Sequence, residues 1–491
     1  MSNFLRKNHD AAGETTSRTR GRKLWLASGV AGLTGVVSLA GVGFATSAGA
    51  AGMDRLTDLK WSTAEQVAKD DGGYGRDERE GRKEGDERDE RGGQRPGEDG
   101  KAEDWGRVQE VPCNPDRLIA AITRANADNG GTLKLARGCT YTLTVNNGPG
   151  GSGLPPISQN ITIKGEDSTL VRAANAAPFR FFDVVSGGHL RLSDLTLTGG
   201  NGLTGGAILV ERGGSAEIAK SRLVNNDALA AGGAIENEGT TVLDHSVLTN
   251  NTAILAGGAI NNTGLLKVNE SKIAGNVAGA AGGAINNFTG TVVVHKTAIT
   301  GNRSVGAGGG IASEGGIVDL DDTEVTDNTT GVTGGGIGVL NSQLNLRHST
   351  VARNASVGGG GGIANTSGLL LSSTVTIEDS KIAENFTDGL GGGGILNVDL
   401  TPAGPGGTAS LTVRNSEIVK NKATFGGGIR NIGGTVTLTN AKIVNNTALA
   451  PNGGGGINTN TNITAVDPTT VIVGNRPNNC AGTGTVTNCF G

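Results

Sequence analysis

The tetrad Gly-Gly-[Ala/Gly]-Ile occurs ten times in this 491-residue chain, ending at Ile208, Ile235, Ile260, Ile285, Ile311, Ile337, Ile363, Ile395, Ile429 and Ile457. Most copies follow one another at a period of about 26 residues, which is within the range of solenoid repeats. In a solenoid each unit buries its apolar face only against its neighbours. A second motif, [Ser/Thr]-x-[Ile/Leu/Val]-x-x-Asn, follows the tetrads. It runs through Ser221…Asn226, Ser246…Asn251, Ser271…Asn276, Thr297…Asn302, Thr323…Asn328, Ser349…Asn354, Ser380…Asn385 and Ser416…Asn421. Ala441…Asn446 and Thr470…Asn475 continue it. The interval from the Ser or Thr to the next tetrad Ile is identical in six consecutive copies, from Ser221–Ile235 to Ser349–Ile363.

A unit this short has no room for a crossover helix. It holds three short alternating stretches, such as Ala259-Ile260-Asn261, Leu265-Leu266-Lys267-Val268 and Lys272-Ile273-Ala274. Alternation marks strands with one buried face. Gly and Asn stand between them, where the backbone bends. The pattern describes an all-β chain folded as a right-handed parallel β-helix with three strands per coil. Ten repeat coils are preceded by others around Leu133-Lys134-Leu135, Ile161-Thr162-Ile163 and Leu190-Arg191-Leu192. At the strand spacing, about 13 coils make a solenoid on the order of 60 Å long.

Stacking gives most of the repeated letters a structural task. Ile235, Ile260, Ile285, Ile311 and Ile337 should form an aliphatic ladder. Asn251, Asn276, Asn302, Asn328 and Asn354 should form a hydrogen-bonded one. The composition agrees, with 86 Gly and only 3% aromatic residues. The net charge of −4 offers no basic footprint for nucleic acid.

The ends of a β-helix expose strand edges and need covering. Asp116-Arg117-Leu118-Ile119-Ala120-Ala121-Ile122 reads as an amphipathic capping helix with Asp116 near its N-terminus. The four Cys fall in two local pairs, Cys113 with Cys139 and Cys480 with Cys489. Four Cys allow three connectivities, and nearness in sequence favours these bridges. The expected layout is a leader over 1–50, a charged linker over 51–107, a cap and first coils over 108–200, the repeat solenoid over 201–476, and a disulfide-closed tail over 477–491.

The leader is basic at Arg18, Arg20, Arg22 and Lys23, uncharged from Leu24 to Phe44, and carries the small-residue signature Ala48-Gly49-Ala50. This reads as a secretory signal, so the expected location is extracellular or at the cell surface. A bilayer span takes about 20 apolar residues. The run from Leu24 to Phe44 reaches that length, so a membrane enters the picture only if the leader stays uncleaved. Beyond it, Arg76 to Arg91 holds six positive and eight negative side chains, and its other two residues are Gly. Such a segment buries too little to offset ordering entropy and reads as a solvated linker.

The tetrads at 205–208, 232–235, 257–260 and 282–285, each followed by an apolar-x-x-Asn motif, resemble the repeats of polymorphic outer membrane proteins. The whole of 113–491, with its Cys113-Asn114-Pro115 opening and its Cys489 near the end, is similar to bacterial secreted right-handed β-helix repeat proteins. The resemblance implies a β-helical, adhesin-like surface protein. This chain departs from the pattern in having Ile, Leu or Val where those repeats have Phe.

β-Helices also host polysaccharide lyases and glycoside hydrolases, and a glycosidase needs facing carboxylates. The candidate catalytic residues are Asp319, Asp321 and Asp322. Asp319 and Asp321 share a strand face, roughly 7 Å apart along it. The motifs of the known polygalacturonases and lyases are absent, so catalysis is the alternative reading. The simpler one comes from register. Two residues before the motif Ser or Thr stand Asp321, Arg347, Glu378 and Arg414, whose alternating signs suit a salt-bridge ladder. His189, His245, His295 and His348 look too scattered for a metal site, and no cofactor is expected.

The period breaks twice. The intervals Ile363 to Ile395 and Ile395 to Ile429 are the two longest between successive tetrads. The extra residues, Ser367–Thr374 and Val398–Ala409, fall in the same arc, so adjacent coils should project two loops from one side. Such insertions often mark a binding face. The expected function is therefore a monomeric, non-catalytic extracellular β-helix that meets a polysaccharide or the cell envelope. The alternatives are a β-helix enzyme and a purely structural exoprotein.

Overall fold

The computed structural model describes residues 108–147, 151–368, 371–400, 408–463 and 465–490. The leader and charged linker lie outside the described residues. The coil that contains the fourth tetrad shows the plan. A long strand (Leu265–Asn269) leads to a short one (Lys272–Ala274), then to a two-residue strand (Val277–Ala278), and finally to the tetrad strand (Ile285–Phe288). The two-residue strand is an addition to the expected three.

Equivalent strands pair in parallel down the solenoid and make sheets of 25, 10 and 12 strands. The largest sheet bends into two arms, one of long strands and one of short. The long-strand arm stacks fourteen deep, from Val108–Val111 to Ala465–Val466. The architecture is thus an all-β parallel solenoid of about 14 turns. The turn beyond the expected number is Val108–Val111, which lies on Gly131–Leu135.

Register holds from coil to coil. Ile235, Ile260, Ile285, Ile311 and Ile337 align as successive partners and are fully buried. In the long strands, Leu266, Val268, Val292, Val294, Val318 and Leu320 point inward and their alternates point outward. The interior is a continuous aliphatic column, and its apolar burial is the main stabilising term.

The two tetrad glycines have separate tasks. Gly282 sits at φ +65°, a left-handed corner that costs other residues conformational energy. Gly283 lies so close to the next coil that a Cβ would overlap the Gly309 carbonyl oxygen. Non-glycine residues hold the corner between long and short strands, as at His245, Glu270, Lys296, Asp322 and His348, all with positive φ.

An asparagine ladder runs along the stack. Asn251, Asn276, Asn302, Asn328 and Asn354 are buried, and each Nδ2 donates to the next Asn Oδ1 in the column, at 2.9 to 3.0 Å. The motif Ser or Thr forms a third ladder. Ser271 Oγ donates to Asn269 O at 2.6 Å and accepts Ser246 N–H at 3.0 Å.

Both ends are covered. The helix Pro115–Ala127 buries Leu118, Ala121, Ile122 and Ala125, and Asn114 caps it by accepting the Arg117 N–H at 3.1 Å. Cys113–Cys139 ties it to the first coils. At the far end, Cys480–Gly482 is the last strand of the tetrad sheet, on Ile457–Thr459, and Cys480–Cys489 closes the segment that follows.

Candidate functional site

Alternation along Ile317–Asp321 places Val318 and Leu320 inside and leaves Asp319 and Asp321 on the outer face. The chain then turns at Asp322, with φ +50°. Asp319 and Asp321 therefore share a face, as their spacing implied. Neighbouring coils engage them both. Asn345 Nδ2 donates to Asp319 Oδ1 at 2.5 Å. Asp321 lies between two imidazoles, with His295 Nδ1 3.3 Å from Oδ2 and His348 Nδ1 2.9 Å from Oδ1. The hydrogen bond that His348 Nδ1 donates to Asp321 Oδ1 raises the pKa of His348, because it favours the charged ring. His245 is raised in the same way, chiefly by its hydrogen bond to Asp244.

The histidines are thus less scattered than their sequence offsets suggest. His295 is the register partner of Asp321, and His348 occupies the next corner along the stack. One ligand atom each from His295, Asp321 and Asp322 lie within 4.8 Å of one another. Sequence spacing hid this, since His295 ends a long strand whereas His348 sits one position further on, at the corner.

The expected charge column forms in part. Arg414 Nη1 meets Glu378 Oε1 at 2.9 Å. Arg347 makes no ion pair among the described residues, because Asp321 turns toward the two rings instead. Other pairs link adjacent coils across the surface. Arg353 grips Asp327 through two nitrogens at 2.9 Å, Arg191 meets Glu217 at 2.9 Å and Lys442 meets Glu417 at 3.1 Å. Each exposed pair contributes about 0–1 kcal/mol.

A glycosidase pair must flank the scissile bond from two sides. Asp319 and Asp321 stand two residues apart on one strand and face outward together. Three of their four oxygens are already engaged by Asn345, His295 and His348. The geometry suits binding and cross-bracing better than acid–base turnover.

The strands that flank the two insertions are lengthened and paired. Ile363–Ser367 pairs with Ile395–Asp399, and Ser373–Glu378 with Ala409–Arg414. Their bases are tied together: Ser367 Oγ donates to Asp399 Oδ1 at 3.0 Å and Thr408 N–H to Ser372 Oγ at 3.2 Å. Leu371 is exposed beside them. Residues 369–370 and 401–407 lie outside the described residues.

One buried group was not singled out by sequence. Glu236 is the outward residue after a tetrad Ile, yet the neighbouring turn covers it to 6% exposure. Burial pushes its carboxyl up to about 7, against the Asn261 amide that donates to Oε1 at 2.7 Å. Its Oε2 has no hydrogen-bond partner.

No family model matches the chain, and no curated protein does. Solved structures do match. The A-module of Azotobacter vinelandii mannuronan C-5 epimerase AlgE6 is 13% identical with a TM-score of 0.35, over 76% of this chain and 93% of that one. The Streptococcus pneumoniae surface adhesin PfbA is 10% identical with a TM-score of 0.34, over 67% of this chain and 86% of that one. A double mutant of the tailspike protein of E. coli bacteriophage HK620 is 13% identical with a TM-score of 0.33, over 76% of this chain and 74% of that one. The functions in those names belong to those proteins.

Proposed function

We propose that this chain is an extracellular, non-catalytic β-helix that binds a polysaccharide or cell-envelope surface through the side bearing the two insertions. The observation that carries this reading is the pair of adjacent insertions joined at their bases by the Ser367–Asp399 and Ser372–Thr408 hydrogen bonds. Their described bases lie on adjacent coils of a rigid solenoid, and insertions placed together in this way often mark a binding face. The two disulfides suit an oxidising compartment, in agreement with the leader. No helix among the described residues is long and apolar enough to cross a membrane. The similarity of the tetrads to polymorphic outer membrane protein repeats supports a surface role.

The test compares the full chain with a variant lacking 401–407 on a polysaccharide array and on purified cell envelope. Binding by the full chain and its loss in the variant is the expected result. Equal binding by both would remove the insertions from the function. Turnover of pectin, alginate or a chondroitin-type polymer that disappears in Asp319→Ala or Asp321→Ala would replace the reading with an enzymatic one.

A further inference from the structure

The corner built by His295, Asp321 and Asp322 is not a repeated feature of the solenoid. The inward ladders already satisfy the core, and other coils fill the register positions of His295 and Asp321 with Asn269, Arg347 or Thr439. We propose that these three side chains, with His348 behind Asp321, form a binding site for a transition-metal ion of the zinc class.

His295 Nδ1 and Asp321 Oδ2 meet in an ion-pair contact at 3.3 Å. Two donors at about 2.05 Å from one tetrahedral ion are separated by about 3.3 Å. The carboxylate of Asp322 completes a set of three ligand atoms within 4.8 Å.

The site is also preorganised. His295 and Asp321 are register partners on adjacent long strands, so the backbone ladder fixes their separation. Asp322 follows in the chain and is held at the corner. His348, from the following coil, hydrogen-bonds Asp321 Oδ1 at 2.9 Å and orients the carboxylate so that Oδ2 faces His295. A hydrogen-bonding partner behind a ligating carboxylate is a regular feature of metal sites. The site thus draws on three successive coils.

The donor set decides the class of ion. One imidazole and two carboxylates suit zinc, nickel or copper, whereas magnesium and calcium take oxygen donors alone. The surrounding charges limit affinity without abolishing it. Lys296 leans toward Glu270 at 3.8 Å, and Arg347 is the register neighbour of Asp321. Asp379 faces His348 from the far side. With three protein ligands at an exposed corner, the ion would keep an open position for water or an added ligand.

The experiment is calorimetric titration of chelator-treated full-length protein with zinc chloride, and separately with calcium chloride. One saturable zinc ion per chain is expected. Zinc affinity should fall by about tenfold or more in Asp321→Asn and in His295→Gln. It should be unchanged in His245→Gln, which alters the similar His245–Asp244–Glu270 contact two coils away. Both altered site residues face outward, and a thermal melt confirms that each variant is folded. Cobalt offers a second readout, since a tetrahedral site gives intense visible bands that Asp321→Asn should erase. No saturable zinc uptake, undiminished zinc affinity in the two site variants, or tighter binding of calcium than of zinc would each overturn the proposal.

Discussion

An asparagine side chain can donate two hydrogen bonds and accept two, and the motif column uses all four. Asn302 Oδ1 accepts both the backbone N–H and the Nδ2–H of Asn276, while its own Nδ2 donates to Asn328 Oδ1 and Ile273 O. Replacing it leaves buried partners on two sides unsatisfied, at about 1–3 kcal/mol each. Asn302→Ala is therefore expected to lower unfolding stability by about 4 kcal/mol, read as a shift in urea midpoint. A change below about 1 kcal/mol would show that water replaces the ladder. Glu236 presents the reverse situation, a polar group that the fold strains. Its carboxyl titrates at about 7 in the folded chain against an ordinary 4.5. The folded state then holds the proton more tightly than the unfolded one. Its contribution to stability is fully present below pH 4.5 and is lost as pH rises toward 7. The change amounts to roughly 3 kcal/mol as an upper figure. Glu236→Gln should remove that decline, so that urea midpoints at pH 5 and pH 8 converge. An undiminished decline in the variant would assign it to other groups. The motif asparagines were legible in the sequence because their column is unbroken. A second column was not. Asn237, Asn262 and Asn287 stack by Nδ2–Oδ1 bonds of 2.6 and 2.7 Å, then Ser313 and Val339 interrupt the letters before Asn365, Asn397 and Asn431 resume them.

At the scale of the coil, one tetrad repeat encodes a corner, a close approach and an inward apolar residue. The close approach makes a sharp prediction. A Cβ on Gly309 would overlap the Gly335 carbonyl oxygen and lie 2.6 Å from Thr329 O, both backbone atoms of the next coil. At the third tetrad position, a Cβ on Gly310 would stand 2.8 Å from Gly336 O, and Ala284 already fills that position one coil earlier. Gly310→Ala should cost about 1 kcal/mol, whereas Gly309→Ala should cost several times more, because two coils must part to admit it. Thermal melts of the two variants decide the matter, and equal losses would refute the stacking account of the second glycine. The coil was legible because its long and short strands alternate. The two-residue strands were not, since two residues carry no period. The corner at His295 and Asp321 escaped for a related reason. Stacking turns a one-position offset between His295 and His348 into contact with the same carboxylate, and linear spacing carries no trace of that.

Across the whole solenoid, an interior coil is hydrogen-bonded on both sides and an end coil on one, so stability approximates a sum of nearest-neighbour terms. The two ends are closed by different means. At the first coils, a 13-residue helix buries four side chains, and Tyr141 adds a buried bond from its hydroxyl to Val111 O at 3.0 Å. At the last, the cover is a short strand, an isolated bridge between Ile463 and Val486, and a disulfide between cysteines nine positions apart. In the chain-entropy model that disulfide contributes about 2.5 kcal/mol. The cover has little apolar burial to replace it, since Cys480 and Val486 are only partly buried. Reduction of both disulfides should therefore open the C-terminal end first. In hydrogen exchange followed by mass spectrometry, amides of Ile457–Thr459 and Val471–Val473 should exchange faster by about tenfold or more after reduction. Those of Ile285–Phe288 should be unchanged, and those of Gly131–Leu135 should change less than the C-terminal set, because the helix still covers them. Uniform acceleration from first coil to last would mean that the stack opens as one cooperative unit, and the nearest-neighbour description of this solenoid would fail.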